Sequence, residues 1–267
     1  MVAEGASVDP GLRTAVVTGA AGGIGRALAT RLAADGLRVV INDLDAPRLA
    51  EVAAEIGAVA VPGDAASPEG AVALVAAARA ELGDIDVWFG NAGIDTGRGI
   101  DAPEEAWAAA HEVNVMAHVR AARALLPAWL DRGRGRYVVT ASAAGLLTMV
   151  DSPVYSVTKH GAVAFAEWLS VTYRHRGIVV QAICPQGVQT PMLERSGELR
   201  DLLSRDSALS AETVADLAVA ALDHEEFLIL PHPEVADYYT ARATTPDRWL
   251  AGMNRIQQHL DAHRAGR

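Results

Sequence analysis

Short runs of β-branched and aliphatic residues alternate with long alanine-rich stretches of helical periodicity along almost the whole chain, which leaves few folds open to it. Strands are expected at 13–18, 37–43, 58–61, 85–90, 136–141, 178–184 and 227–230. Helices are expected at 24–35, 46–56, 68–82, 103–131, 153–176 and 211–223. Two helix starts carry their own mechanism: Ser67-Pro68 and Ser152-Pro153 each set a capping residue before a proline at the first helical position. Apolar runs enclosed by helices are those of parallel strands buried on both faces. The expected fold is α/β, a doubly wound, parallel, seven-stranded sheet with helices on both faces.

The 267 residues read as a single domain, 1–267, because no long linker, repeat or low-complexity tract interrupts the alternation. With 51% hydrophobic but only 5% aromatic residues, Ala, Val and Leu must fill the core. Residues 1–11 read as a flexible N-terminus, and 190–210, polar and poorly periodic, as a lid over a site. The C-terminal extension, 231–267, carries Tyr238, Tyr239, Trp249 and Met253, apolar enough to pack against something. The arginine-rich cluster 131–136 reads as a solvated turn.

A net charge of -10 argues against nucleic acid or an anionic membrane as a partner. The N-terminus lacks the layout of a signal peptide, and no apolar stretch reaches the roughly 18 residues of a membrane span, so a cytoplasmic location is expected. The one cysteine, Cys184, excludes an intramolecular disulfide and reads as a small buried strand residue. His111, His118, His160, His175, His224, His232, His259 and His263 show no metal-ligand spacing, so no catalytic metal is expected. His232 and the C-terminal histidines read as solvated or interfacial.

The first expected strand ends in Thr18-Gly19-Ala20-Ala21-Gly22-Gly23-Ile24-Gly25, and a helix follows at once. Glycines there tighten the turn and let backbone N–H groups approach a pyrophosphate at the positive end of a helix. The second strand ends in Asn42-Asp43, 18 residues beyond Gly25. A carboxylate in that place accepts hydrogen bonds from a ribose 2′-hydroxyl and repels the extra phosphate of NADP. Ala20, Ala21 and Leu44 offer no cation to offset it, which favours NAD.

Tyr155 and Lys159 stand four apart, on one face of a helix. An unperturbed tyrosine ionises near pH ~10 and is a poor base at neutral pH. A neighbouring ammonium, an oxidised nicotinamide and a position in the first helical turn all favour its phenolate.

These features resemble, in order, the short-chain dehydrogenase/reductase superfamily in its single-domain branch. The matching residues are Thr18-Gly19, Gly23-Ile24-Gly25, Asp64, Asn91-Ala92-Gly93, Asn114, Ser142, Tyr155 and Lys159, with Ser142 standing 13 residues before Tyr155. The resemblance implies a Rossmann-like sheet and hydride transfer between NAD and a secondary alcohol or ketone. It implies that Ser142 holds the substrate oxygen, that Tyr155 is the general acid/base and that Lys159 binds the nicotinamide ribose and lowers the Tyr155 pKa. Asn114 would hold a water that relays protons from Lys159. Asp64 with Ala65 would face the adenine, and Asn91, Ala92 and Gly93 would form the cleft floor beside Gly22. Pro185, Gly187, Val188 and Thr190 would meet the nicotinamide.

There are departures from the family pattern. Pro185-Gln186-Gly187 has Gln186 where glycine is expected, so the backbone differs or the amide enters the site. Gly90 replaces a familiar asparagine, which touches only a secondary strand contact. The expected substrate wall comprises Ala144, Leu146, Met149, Val150, Gln186, Met192 and Leu193, apolar and without a cationic clamp unless Arg195 or Arg200 of the lid turns inward. That wall suits an uncharged, moderately hydrophobic alcohol or ketone.

The competing readings are an NADPH-dependent biosynthetic ketoreductase, an isomerase using bound NAD, and a dinucleotide-binding sensor. A sensor would be marked by loss of the tyrosine or lysine, and both are present. The resemblance also implies a homotetramer, or a dimer, assembled through the helices at 103–131 and 153–176, with Phe165 and Trp168 on a buried face.

Overall fold

In a computed structural model that describes residues 11–96, 99–195 and 208–265, the alternation read from the sequence becomes a layered α/β sheet. The chain runs β1 (Thr14–Thr18), α1 (Gly23–Ala34), β2 (Arg38–Asn42), α2 (Ala46–Ile56), β3 (Val59–Ala60), α3 (Pro68–Leu82) and β4 (Val87–Gly90). Next come α4 (Glu104–His111), a π-helical turn at Glu112–Met116, α5 (Ala117–Arg132), β5 (Gly135–Thr140), α6 (Ala144–Leu147) and α7 (Pro153–Tyr173). The rest is β6 (Ile178–Ile183), β7 (Val188–Gln189), α8 (Pro191–Glu194), β8 (Leu209–Ser210), α9 (Ala211–Ala220), β9 (Leu228–Ile229), α10 (Glu234–Thr244) and α11 (Pro246–Ala265).

Seven strands form one parallel sheet in the order β3-β2-β1-β4-β5-β6-β9, with β7 and β8 paired apart. The order reverses between β1 and β4, and a crevice opens there beyond the carboxyl ends of the strands. Alternating side chains fill the two faces. Val16, Val40, Trp88, Tyr137 and Val180 pack under α3, α5 and α7, while Val17, Ile41, Phe89 and Val138 pack under α1, α2 and α9. Among the described residues no helix is long and apolar enough to cross a membrane.

The structure corrects several local expectations. The single helix expected over 103–131 is α4 and α5 joined by the π turn, whose extra residue accommodates the fully buried Asn114. Ser67 caps α3 by accepting from Gly70 N, but Ser152 makes no side-chain cap, leaving Pro153 to set the start of α7. The arginine cluster is only partly solvated. Arg136 is buried, with Nη1 donating to Gln181 Oε1 at 2.9 Å and His224 O at 2.7 Å, and Arg132 lies against Asp84 and Asp86.

His232 is buried at 3% exposure, not solvated, because its Nδ1 accepts from Gln186 N at 3.2 Å. Trp168 is 54% exposed in the single chain, stacked on Phe165 at 6.1 Å, and does not enter the core. Cys184 is buried, as expected. The N-terminal stretch 1–10 and most of the expected lid, 196–207, lie outside the described residues.

Candidate active site

The cleft at the strand-order reversal is built first by one turn. Gly19 follows β1 with φ +66, and a side chain on Gly25 would begin only 2.1 Å from Gly19 O and 2.6 Å from Asn91 Nδ2. Asn91 ties this turn to the end of β4 by donating from Nδ2 to Thr18 O at 2.9 Å. Thr18 Oγ1 in turn accepts from Asn91 N and Ala92 N, both at 3.0 Å. Helix α1 starts at Gly23 with no side-chain cap and no acid in its first turn. Its positive end, with Gly22, Gly23 and Ile24, faces the cleft.

Asp43 closes the far end of this floor. Its Oδ2 accepts from Ala21 N at 3.0 Å and its Oδ1 from Asp45 N at 3.2 Å, which fixes the carboxylate at the cleft wall. Asp64 and Ala65 line the same wall, and Asp64 Oδ1 accepts from Ala66 N at 2.9 Å. The sequence offered no cation here, but α2 supplies one. The Arg48 guanidinium stands 3.6 Å from where a side chain on Gly22 would begin.

Tyr155 lies in the first turn of α7 and Lys159 one turn further on, both on the cleft. Lys159 is 3% exposed, and its Nζ donates to Thr140 O at 2.9 Å and lies 5.6 Å from the centre of the Tyr155 ring. Loss of hydration pulls Lys159 down to about 8. The same burial pushes Tyr155 up to about 12, against a hydrogen bond from Ser142 that draws it down. Ser142 ends β5 in the same cleft, its Oγ accepting from Ala144 N at 3.1 Å.

Asn114 is used as a brace. Its Oδ1 accepts from Ile94 N and its Nδ2 donates to Ile94 O, both at 2.9 Å, and to Thr158 Oγ1 at 3.0 Å. The amide thus locks the loop after Gly93 onto α7, beside Lys159, with its side-chain groups engaged by protein atoms. Pro185, Gly187, Val188 and Thr190 border the opposite wall.

Of the expected substrate residues, Ala144, Met149, Val150, Gln186, Met192 and Leu193 line the cleft, but Leu146 does not: it is 2% exposed in the core. Gln186 reaches back to α10, its Nε2 donating to Glu234 Oε1 at 3.1 Å. The sequence reading missed the roof, where Tyr238 of α10 and Trp249 and Met253 of α11 complete a cleft of about 1190 Å³. Their aromatic and methionine character at helical spacing was the available signal. The wall is also not free of cations, since Arg195, Arg248 and Arg255 border it.

The family model described as short chain dehydrogenase matches residues 13–201. The 1-deoxy-11-beta-hydroxypentalenate dehydrogenase of Streptomyces exfoliatus is 38% identical over 231 residues, covering 83% of this chain and 84% of that protein. The D-beta-hydroxybutyrate dehydrogenase of Cupriavidus necator is 32% identical, over 70% of this chain and 75% of its own. Among solved structures, a short chain dehydrogenase/reductase from Burkholderia phymatum in complex with NAD has a TM-score of 0.81 at 29% identity, covering 88% of this chain and 94% of that one. An actinorhodin polyketide ketoreductase variant with NADPH has a TM-score of 0.78 at 28% identity, covering 86% and 100%.

Proposed function

The chain belongs to the short-chain dehydrogenase family, and on that premise we propose that it is an NAD-dependent oxidoreductase interconverting a secondary alcohol and a ketone, with Tyr155 as the general acid/base. The observation that carries this reading is the convergence of Ser142, Tyr155 and Lys159 on one cleft whose other end is a glycine floor at an uncapped helix N-terminus. Those residues fit a dinucleotide: Gly22 and Gly23 border the cleft without side chains, and Asp43 offers a fixed acceptor for a ribose hydroxyl. When bound, the nicotinamide supplies the hydride acceptor for oxidation and the donor for reduction.

The chain's own residues do the rest. Ser142 donates to the substrate oxygen and holds it beside Tyr155. Tyr155 takes the hydroxyl proton in oxidation and returns it in reduction. Lys159, held by Thr140 O, places a positive charge near the phenol and favours the phenolate. Asn114 positions the loop at Gly93–Ile94 against this group.

The two ionisations give a pH profile with a definite sign. Oxidation needs Tyr155 deprotonated and Lys159 charged. With Lys159 at about 8 and Tyr155 at about 12, that state gains tenfold per pH unit below about pH 8. Above that break the loss of the lysine proton cancels the gain in phenolate. We expect kcat/KM for oxidation to rise up to about pH 8 and then level off. For reduction, which needs the phenol and the charged lysine, it should be flat below the break and fall above it. An oxidation rate independent of pH below the break would contradict this assignment.

Asp43 supports NAD over NADP even with Arg48 nearby, because the carboxylate sits fixed at the ribose end. Removing a charged hydrogen-bond acceptor costs about 1.5–3 kcal/mol, so Asp43→Asn should weaken NAD binding by about tenfold or more and narrow the preference over NADP. Fluorescence titration with both cofactors reads this directly.

The mostly apolar substrate wall and relatives named as dehydrogenases of hydroxypentalenate and hydroxybutyrate both support a substrate with a hydrocarbon skeleton. Exposed Val157, Trp168 and Val171 on α7 support assembly into a homotetramer through that helix. The direct test mixes the protein with NAD and a panel of aliphatic, alicyclic and aromatic secondary alcohols, followed by NADH absorbance, with NADP in parallel. Turnover with NAD and little with NADP is expected; turnover with NADP alone would favour the biosynthetic ketoreductase reading.

A further inference from the structure

The roof of the cleft has two chemically different edges. Arg248, Trp249, Gly252, Met253, Arg255 and Ile256 of α11 all border the cleft. At 3.6 residues per turn, Arg248 and Arg255 lie two turns apart on one edge, with Trp249, Met253 and Ile256 on the adjacent apolar one. Gly252 sits between the arginines, and a Cβ there would meet nothing within 4 Å except Arg255 Nη2, at 3.8 Å. A mid-helix glycine is unfavourable relative to alanine, so this notch is space kept open at a cost.

Among the described residues no carboxylate engages the charges on this edge. In a chain of net charge -10, Arg31, Arg132, Arg174 and Arg264 are each engaged by carboxylates. Arg248 and Arg255 are exposed and make no ion pair with a described residue. Each of the two roof helices is anchored to the body of the protein. Arg242 of α10 donates to Leu146 O, and Arg264 grips Asp151 with two bonds of 3.1 and 2.6 Å.

We propose that the Arg248–Gly252–Arg255 edge binds the carboxylate of an amphipathic organic acid whose hydrocarbon skeleton lies on Trp249 and Met253. Resting on the dehydrogenase reading, this makes the substrate an alicyclic or similarly bulky hydroxy acid or keto acid. The guanidinium forks bind the carboxylate, and the apolar edge desolvates the skeleton.

The test does not depend on turnover. Decalin-2-carboxylate and its uncharged methyl ester are titrated calorimetrically into the protein with saturating NAD. The acid should bind about tenfold more tightly than the ester, a charged-pair contribution of about 1.4 kcal/mol by that ratio. Arg248→Met combined with Arg255→Met should remove this preference. Arg123→Met, the same charge change at an exposed position of α5 outside the cleft, should leave it in place. Absence of binding by either probe, an ester bound as tightly as the acid, or a preference that survives the double variant would overturn the proposal. An arginine-dependent acid preference without oxidation of any alcohol would sink the dehydrogenase reading alone. Oxidation of neutral alcohols with no acid preference would sink this one alone.

Discussion

Tyr155→Phe should leave NAD binding unchanged within measurement and lower turnover by about 10²–10⁴-fold, the usual contribution of a positioned proton donor or acceptor. The substitution deletes one oxygen from a half-buried ring and keeps the ring's packing in the first turn of α7. Lys159 retains its bond to Thr140 O, and the glycine floor is untouched. A loss in kcat with an unchanged dissociation constant therefore separates proton transfer from cofactor binding. If turnover survived, proton transfer would have to run through Ser142 or solvent, and the role given to Tyr155 would fall.

Gly25→Ala should be as damaging by a different route. Its new methyl would start 2.1 Å from Gly19 O, 2.7 Å from Gly19 C and 2.6 Å from Asn91 Nδ2, and the backbone atoms cannot swing aside as a flexible side chain does. Relief requires α1 to move away from the turn that holds it, breaking the link from Asn91 to Thr18 O. Overpacking of this kind costs about 3 kcal/mol or more, against a total stability of about 5–15 kcal/mol. Urea unfolding should show that loss, with a matching collapse of NAD affinity. By contrast Gly36→Ala meets no atom within 4 Å, yet it carries the φ +86 strain of its turn and should cost less. Equal effects at the two positions would refute the close-contact explanation.

The sheet was legible because its central strands are apolar on both faces and most strands lead into a helix, so Val16, Ile41 and Phe89 announce burial whichever way they point. That Tyr155 and Lys159 stand together was legible because they share a single helix, where spacing alone sets proximity. What stayed hidden depends on contacts between distant segments. The π turn at Glu112–Met116 arises from Asn114 bonding to Ile94, 20 residues away, and leaves no periodic trace. Gln186 does border the cleft, but its tether to Glu234 at the start of α10 and to His232 just before that helix joins segments more than 40 residues apart. Arg48 and the α11 roof reach the cleft only through tertiary folding. The roof also lies beyond the region matched by the family, so no motif marked it.

Hydride transfer between substrate and nicotinamide can be read by following the hydrogen itself. Secondary alcohols deuterated at the carbinol carbon are incubated with the protein and NAD, and the reduced cofactor is recovered for mass spectrometry. Deuterium is expected in the reduced nicotinamide, with none formed by Tyr155→Phe beyond a trace. Deuterium released to solvent, or reduced cofactor formed without it, would contradict direct transfer from the substrate in this cleft.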